Sequence, residues 1–258
     1  MAVSDKGMRK NNEDYLYPLS EEASASDRLF LLCDGVGGSD RGEVASYMAC
    51  DVVHTFFDTF LKERPDKAFV QKSVQYTETC FDNYVKSHPE ATGMATTMTM
   101  LYFSDDSVLA AHIGDSRIYQ FRKGKIIFRT EDHSLVNSWV KMGKITAEEA
   151  AHHPRKNVIL RAIQSTTHPA EVDVTELSDI EDNDCFMLCS DGVLESFSDK
   201  ELEEVFEHHS LPEVKELLVE KCMQNSRDNF SFYLIPVISS QKETSFSKNL
   251  LTFLYSFV

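Results

Sequence analysis

The chain of 258 residues carries 26 Lys and Arg against 42 Asp and Glu, a formal net charge of −16. This balance argues against a protein that binds nucleic acid or an anionic membrane, and it fits a site built from carboxylates. No apolar run reaches the roughly 18 to 20 residues of a transmembrane helix, and the polar N-terminal segment carries no secretory signal. The six cysteines show no Cys-x-x-Cys spacing, so we expect buried thiols and a cytoplasmic protein.

Short apolar runs and longer helical patterns succeed one another along the chain. Strands are predicted at 15–17, 29–33, 98–103, 108–113, 118–121, 126–128, 185–189 and 230–237. Helical periodicity covers 42–61 and 68–85, and a second helix pair is predicted late in the chain, around Pro212. The hairpin pattern between residues 114 and 125 favours antiparallel pairing. We therefore expect an α+β fold of two packed antiparallel sheets flanked by pairs of helices.

Two segments differ from this pattern. Residues 132–157 contain short helical pieces broken by Gly143 and Pro154, which indicates a small flap inserted at one edge of a sheet. Residues 239–258 begin with a polar break and continue as an apolar stretch that is too short to span a bilayer. We expect one domain over residues 1–238, followed by a tail of unknown role that packs on the domain or a partner rather than on a membrane.

Carboxylates stand where apolar strands begin or end. Asp34 and Asp191 each follow a strand and precede a glycine, Asp115 lies between two strands, and Glu13 and Asp228 precede strands. Each motif alone is better explained as a turn, but turns are a poor account of all five. If the carboxylates meet, each pair of like charges at 4 Å costs on the order of 4 kcal/mol at an effective dielectric of 20. Such a cluster needs cations, and oxygen-only ligands indicate Mg²⁺ or Mn²⁺.

Eight short motifs follow one another in a fixed order between about residues 4 and 237. They occupy residues 7–14, 34–46, 93–97, 114–117, 132–136, 153–162, 190–192 and 228–229. Together they resemble the metal-dependent protein serine/threonine phosphatases of type 2C, in their compact bacterial-like form. The resemblance implies the same two-sheet fold, with residues 132–157 as the flap beside the cleft.

The resemblance also implies a centre of two Mg²⁺ or Mn²⁺ ions. Asp34 would bridge both ions, and Asp191 and Asp228 would complete the coordination of the first. The carbonyl of Gly35 would join the second ion, with Glu13 assisting through water. A third, weaker metal site of bacterial members is matched by Asp115 together with Asp191.

The activity implied is hydrolysis of phosphoserine and phosphothreonine in proteins, opposing a Ser/Thr kinase. Arg9 would hold the substrate phosphate while a water bridging the two ions attacks phosphorus in line, so that Arg9 and Asp34 are the expected catalytic residues. Val36 stands where some relatives have a histidine as candidate general acid, and it cannot donate a proton. His133 is expected to cap the first flap helix. The expected partners are a phosphorylated protein and the opposing kinase, and the chain is expected to be a monomer.

Two alternatives stay open. A catalytically silent phosphatase-like domain would bind phosphoproteins or regulatory partners, although no expected metal acid is missing. A divalent-cation binder whose acids are structural would bind Mg²⁺ or Ca²⁺ and hydrolyse no phosphoester. Metal-dependent turnover of a phosphoester separates both from the phosphatase.

Overall fold

Two stacked antiparallel sheets with helices on their outer faces make up the fold, which confirms the predicted α+β class. The computed structural model describes residues 1–19, 22–24, 26–36 and 40–238. The strands are β1 Ala2–Asp5, β2 Asp14–Tyr17, β3 Leu29–Val36, β4 Ala95–Thr96, β5 Met98–Phe103, β6 Val108–Ile113, β7 Arg117–Arg122, β8 Lys125–Arg129, β9 Asp173–Leu177, β10 Cys185–Cys189 and β11 Phe230–Pro236. The helices are α1 Asp40–Phe60, α2 Lys67–Ser87, α3 Leu135–Lys141, α4 Ala147–Ala151, α5 Asp191–Leu194, α6 Asp199–His208 and α7 Leu211–Asn225.

The first sheet has the strand order β1-β11-β10-β7-β8, and the second has β2-β3-β5-β6-β9 with β4 paired to β3. The sheets face each other through an apolar layer that includes Leu32 of the second sheet and Phe186 and Tyr233 of the first. Helices α1 and α2 pack on the outer face of the second sheet, and α6 and α7 pack on the outer face of the first. Each sheet thereby buries both faces, as the continuous burial of β10 illustrates.

Local signals fix where the helices begin. Asp66 accepts a hydrogen bond from the backbone N–H of Phe69 at the start of α2, and Ser198 and Glu201 form a capping box at the start of α6. Strand β9 was not predicted, because its residues are half-exposed or exposed and it lies at the edge of its sheet, where an apolar run is not required.

The segment expected to form the flap contains the short helices α3 and α4. The prediction that His133 caps α3 is wrong: Ser134 is the N-cap, and its hydroxyl accepts from the N–H of Asn137. A capping box of Thr146 and Glu149 starts α4. The tail at 239–258 lies outside the described residues, and among the helices of the described ranges none is long and apolar enough to cross a membrane.

The cysteines are unpaired thiols, and five of the six are buried. The structure thus bears out the expected packing role of these side chains. Burial raises the pKa of Cys185 to about 12, which keeps that thiol protonated and unreactive near neutral pH.

Candidate active site

Five aspartates from both sheets converge at one end of the sandwich. In the second sheet, Asp14 at the start of β2 pairs directly with Asp34 near the end of β3, and Asp115 follows β6. In the first sheet, Asp191 follows β10 and Asp228 precedes β11. Because β10 and β11 are antiparallel neighbours, these two residues lie at the same end of the sheet. The carboxylate of Asp34 interacts electrostatically with all four of the others.

Burial and mutual repulsion make ionisation of these carboxyl groups costly. Asp14 and Asp115 are 5% and 6% exposed, and burial raises the pKa of each to about 7. The pKa values of Asp34 and Asp191 lie well above their usual range, first because of burial and then because of the neighbouring aspartates. Within the described ranges, none of these four carboxylates forms an ion pair with Lys or Arg, and the Asp115 carboxyl group is only weakly favoured in its charged form by the nearby Arg117.

Glu13 and Gly35 meet at the same place through a close backbone approach. The N–H of Gly35 donates to the carbonyl of Glu13 at 2.9 Å. A Cβ atom on Gly42, in the first turn of α1, would lie 2.8 Å from the carboxyl group of Glu13, and one on Gly35 would lie 2.1 Å from the carbonyl oxygen of Gly42. Glycine at these positions therefore lets the Glu13 carboxyl group and the Gly35 backbone approach the helix start closely.

Arg9 lies at the mouth of the cluster and is anchored on one side only. Its Nη2 donates to Asp228 Oδ2 at 2.6 Å, and its Nε donates to the carbonyl of Arg227 at 3.2 Å. The hydrogen bond with Asp228, together with the nearby charges of Glu13 and Asp191, raises the pKa of Arg9. The side chain stays 53% exposed, so a guanidinium of fixed charge is available to an anion from solvent.

Two residues at the centre of this arrangement were not predicted as site residues. The side chain of Asn229 accepts from the N–H of Glu13 and donates to the carbonyls of Lys6 and Asn11, so it holds the N-terminal segment on the start of β11. Asp14 accepts from the hydroxyl of Ser190 at 2.8 Å and lies on the buried face of β2. A carboxylate at a core-facing position of an alternating strand is the signal that identifies Asp14.

A hard divalent cation fits this set of donors. One carboxylate oxygen of Asp14 and one of Asp115 are buried with no hydrogen-bond partner in the described part of the chain. Buried polar atoms of this kind are rare in native proteins unless an ion or a water satisfies them. The cluster offers oxygen ligands and no sulfur or imidazole, which is the preference of Mg²⁺ and Mn²⁺.

A family model and individual relatives of known function all match this chain to the same protein family. The family model described as protein phosphatase 2C matches residues 7–231. The serine/threonine protein phosphatase PstP of Mycobacterium tuberculosis is 35% identical over 219 residues, which cover 83% of this chain and 39% of PstP. The serine/threonine phosphatase Stp of Listeria monocytogenes is 30% identical over 245 residues, covering 93% of this chain and 96% of Stp. This chain thus spans about two fifths of PstP and nearly all of Stp.

A solved structure of the PstP catalytic domain, in complex with two manganese ions, superposes with a TM-score of 0.76 at 31% identity. The match covers 93% of this chain and 97% of that one. The order of the motifs, the two-sheet fold and the cluster of aspartates agree with these matches. The chain belongs to the protein phosphatase 2C family.

Proposed function

We propose that this chain is a metal-dependent phosphatase that hydrolyses phosphoserine and phosphothreonine in proteins. The observation that carries the proposal is the convergence of five aspartates, two of them buried, beside a half-exposed arginine. The relatives named as serine/threonine phosphatases support the same activity. A catalytically silent domain would not need to keep four carboxylates together at this energetic cost.

The residues that would hold two Mg²⁺ or Mn²⁺ ions are those of the cluster. Asp34 would be shared by both ions, Asp191 and Asp228 would complete one, and the carbonyl of Gly35 would serve the other, with Glu13 acting through water. When bound, such ions lower the pKa of water and offset negative charge on the phosphoryl group. PstP, whose catalytic domain has been solved with two manganese ions, supports this number.

A third ion would be held by Asp115 together with Asp191. The orphaned oxygen of Asp115 and its electrostatic interaction with Asp191 support this assignment.

Arg9 would bind and orient the substrate phosphate. Its hydrogen bonds to Asp228 and to the carbonyl of Arg227 fix the guanidinium plane, and its exposed side can donate to two phosphate oxygens. Asp228 would then link phosphate binding to the metal cluster. Val36 ends β3 without a titratable group, so we assign protonation of the leaving alkoxide to solvent rather than to a side chain at that position.

The setting of this activity is also part of the proposal. We propose a cytoplasmic monomer in which residues 1–238 form the phosphatase unit and residues 132–157 its flap. The partners would be a phosphorylated protein and the Ser/Thr kinase that modifies it. The excess of 42 acidic over 26 basic residues supports the absence of a nucleic-acid partner.

The direct test is hydrolysis of p-nitrophenyl phosphate and of a phosphothreonine peptide with Mn²⁺, and again after EDTA. We expect turnover that EDTA abolishes and Mn²⁺ restores. The variant Asp34→Asn should lose turnover while it stays folded, whereas Asp106→Asn, on an exposed hairpin, is the matched control. If the purified chain binds the phosphopeptide and Mn²⁺ yet releases no phosphate, the silent domain replaces this proposal.

A further inference from the structure

A second cluster of titratable side chains lies at the base of the flap, where it joins the second sheet. His112 of β6 and His133 stack with ring centroids 4.4 Å apart, and His133 Nε2 lies 3.0 Å from Asp173 Oδ2 of β9. Ligand-type atoms of these three residues all lie within 4.8 Å of one another. The grouping therefore has the composition of a metal site, and the first question is whether a cation belongs there.

The guanidinium of Arg161 already occupies the place beside His133 and Asp173 where a metal ion would bind. Arg161, which follows the C-terminal end of the flap, places Nη1 3.0 Å from Asp173 Oδ1 and 3.3 Å from His133 Nε2. A metal ion bound to the two histidines and Asp173 would have to displace this guanidinium. Since Arg161 already supplies the positive charge, the cluster is better explained as a hydrogen-bond network than as a metal site.

The hydrogen bonds select one protonation state of His133. The backbone N–H of Gly114 donates to Nδ1 at 3.1 Å, so Nδ1 carries no proton. Nε2 must then carry the proton and donate to Asp173, because Asp173 is an acceptor and Arg161 only a donor. Burial, together with the charges of His112 and Arg161, lowers the pKa of His133 against the opposing effect of Asp173, which agrees with a neutral ring.

The same residue joins three parts of the chain through its backbone. The N–H of His133 donates to the carbonyl of Gly114 at 2.9 Å, and its carbonyl accepts from the N–H of Leu160 at 2.7 Å. Gly114 has φ of +106°, and a Cβ atom there would lie 2.5 Å from the side chain of Thr97. The turn that carries Asp115 is therefore held by His133 on one side and by Thr97 on the other.

We propose that His133 is a positioning residue, whose unprotonated Nδ1 holds the Gly114 N–H and thereby aims the carboxylate of Asp115 while fixing both ends of the flap. Asp173 accepts from Nε2 and so holds the ring in the tautomer that this task requires, and Arg161 holds Asp173 in place. The expected effect of His133 on catalysis rests on the proposed function, whereas the hydrogen bond between the Gly114 N–H and His133 Nδ1 does not.

A matched pair of variants tests the Nδ1 contact. In His133→Asn the side-chain oxygen stands where Nδ1 stood and can accept from Gly114, whereas His133→Gln moves the amide to the Nε2 position and loses that acceptor. We expect His133→Gln to lower kcat for p-nitrophenyl phosphate by about 10-fold or more, the range typical of partners that orient metal ligands. His133→Asn should keep most of the activity, and His152→Gln, an exposed histidine of the same flap, is the control.

Two measurements do not depend on turnover. Nitrogen chemical shifts of the His133 ring in the unmodified chain should show an unprotonated Nδ1 and a protonated Nε2 near neutral pH. Amide hydrogen exchange at Gly114 should accelerate in His133→Gln and stay close to the unmodified rate in His133→Asn. These readouts remain valid if the chain hydrolyses no phosphoester, so failure of the phosphatase proposal can be told apart from failure of this one.

Three results would overturn the proposal. The first is a ring protonated at Nδ1, and the second is unchanged Gly114 exchange in His133→Gln. The third is binding of Co²⁺ with a visible absorption band that disappears in both His112→Ala and His133→Gln, since it would make the cluster a metal site after all.

Discussion

The two ends of strand β10 both carry an acidic residue, Asp184 buried and Asp191 half-buried, and they differ in what surrounds it. Asp184 directly precedes the strand and Asp191 follows it two residues after its last position. Hydrogen bonds from Arg122, from Gln120 and from the N–H of Glu181 reach the carboxylate of Asp184. Although burial opposes ionisation of Asp184, these donors hold its pKa below the usual range.

At the other end of the strand the same residue type has the opposite surroundings. No ion pair or hydrogen bond reaches the side chain of Asp191 in the described part of the chain, and burial beside Asp115, Asp228 and Asp14 raises its pKa well above the usual range. One end is thus balanced by Arg122, and the other is the end where we propose that a cation binds. This contrast in hydrogen-bond partners is what distinguishes the structural carboxylate of Asp184 from the proposed functional carboxylate of Asp191.

The variant Asp191→Asn should produce the largest effect on activity. Removal of this proposed metal ligand should lower kcat by more than about 100-fold, because even partners that only orient a ligand are worth about 10 to 100-fold. The free energy of unfolding in EDTA should stay the same or increase, since one buried like charge has been removed. Phosphatase assays with Mn²⁺ and urea unfolding measure the two quantities, and a large loss of stability would place Asp191 with the structural acids instead.

Asp184→Asn is the matched change at the opposite end and should do the reverse. We expect a loss of about 2 to 3 kcal/mol in the free energy of unfolding, since charged hydrogen bonds to Arg122 are lost, although Arg122 keeps Asp179 and Glu181. The kcat should be unchanged. Urea unfolding measures the stability and the phosphatase assay measures kcat. A fall in kcat without a loss of stability would mean that Asp184 influences the proposed active site from the opposite end of β10.

The arginines near the two ends of β10, Arg122 and Arg9, differ in the same way. Arg122 is 18% exposed and forms ion pairs with three acidic residues, whereas Arg9 is 53% exposed and, among the described residues, forms an ion pair with Asp228 alone. Arg9→Ala should reduce kcat/KM for a phosphothreonine peptide by the equivalent of about 1 to 3 kcal/mol, the value of a charged hydrogen-bonded contact. Arg9→Lys, which keeps the charge and loses the planar fork, should recover part of it. An unchanged KM and kcat in Arg9→Ala would remove Arg9 from the phosphate site.

The sequence could predict the acids but not which of them lack a counter-charge. The Asp-Gly pair at Asp191 and the apolar run before it are local signals, so both the strand and the turn were predictable. Asp184 stands beside the same strand, yet its partners Gln120 and Arg122 come from a strand that is some 60 positions away in the sequence. The order of the strands in the first sheet decides which acidic residue pairs with an arginine. That order could not be predicted from this sequence alone.

Contacts between residues far apart in the sequence also explain why Asn229 was missed and the role of His133 was predicted wrongly. Asn229 acts on Glu13 across the separation of 216 positions, through the pairing of β1 with β11. His133 was expected to cap a helix because its neighbours are cap-forming residues, and Ser134 takes that role instead. The hydrogen bond between His133 and Gly114 depends on how the segment that follows β8 packs against the second sheet, and no local sequence pattern predicts that packing.

The smallest expected effect on stability is that of Glu201, a surface carboxylate that, like Asp184, is paired with hydrogen-bond donors. The hydrogen bond from Lys221 and those of the helix cap at Ser198 lower the pKa of Glu201 to about 2. Glu201→Gln keeps the cap, since glutamine also serves a capping box, and removes only the charge. Because the side chain is 46% exposed, solvent screening should limit the loss of stability to about 0.5 kcal/mol.

The dependence of this loss on pH has a definite sign. A carboxyl group whose pKa is lower in the folded chain than in the unfolded one stabilises the fold above its unfolded pKa, about 4.3 for glutamate. That contribution disappears as the pH falls from about 4.3 toward 2, so the unfolding curves of Glu201→Gln and the unmodified chain should draw together at the acid end. Urea unfolding at pH 7, 4 and 2.5 tests this. A difference that stays the same at all three pH values would show that Glu201 stabilises α6 through packing or capping and that its charge contributes nothing, unlike the charge of Asp184.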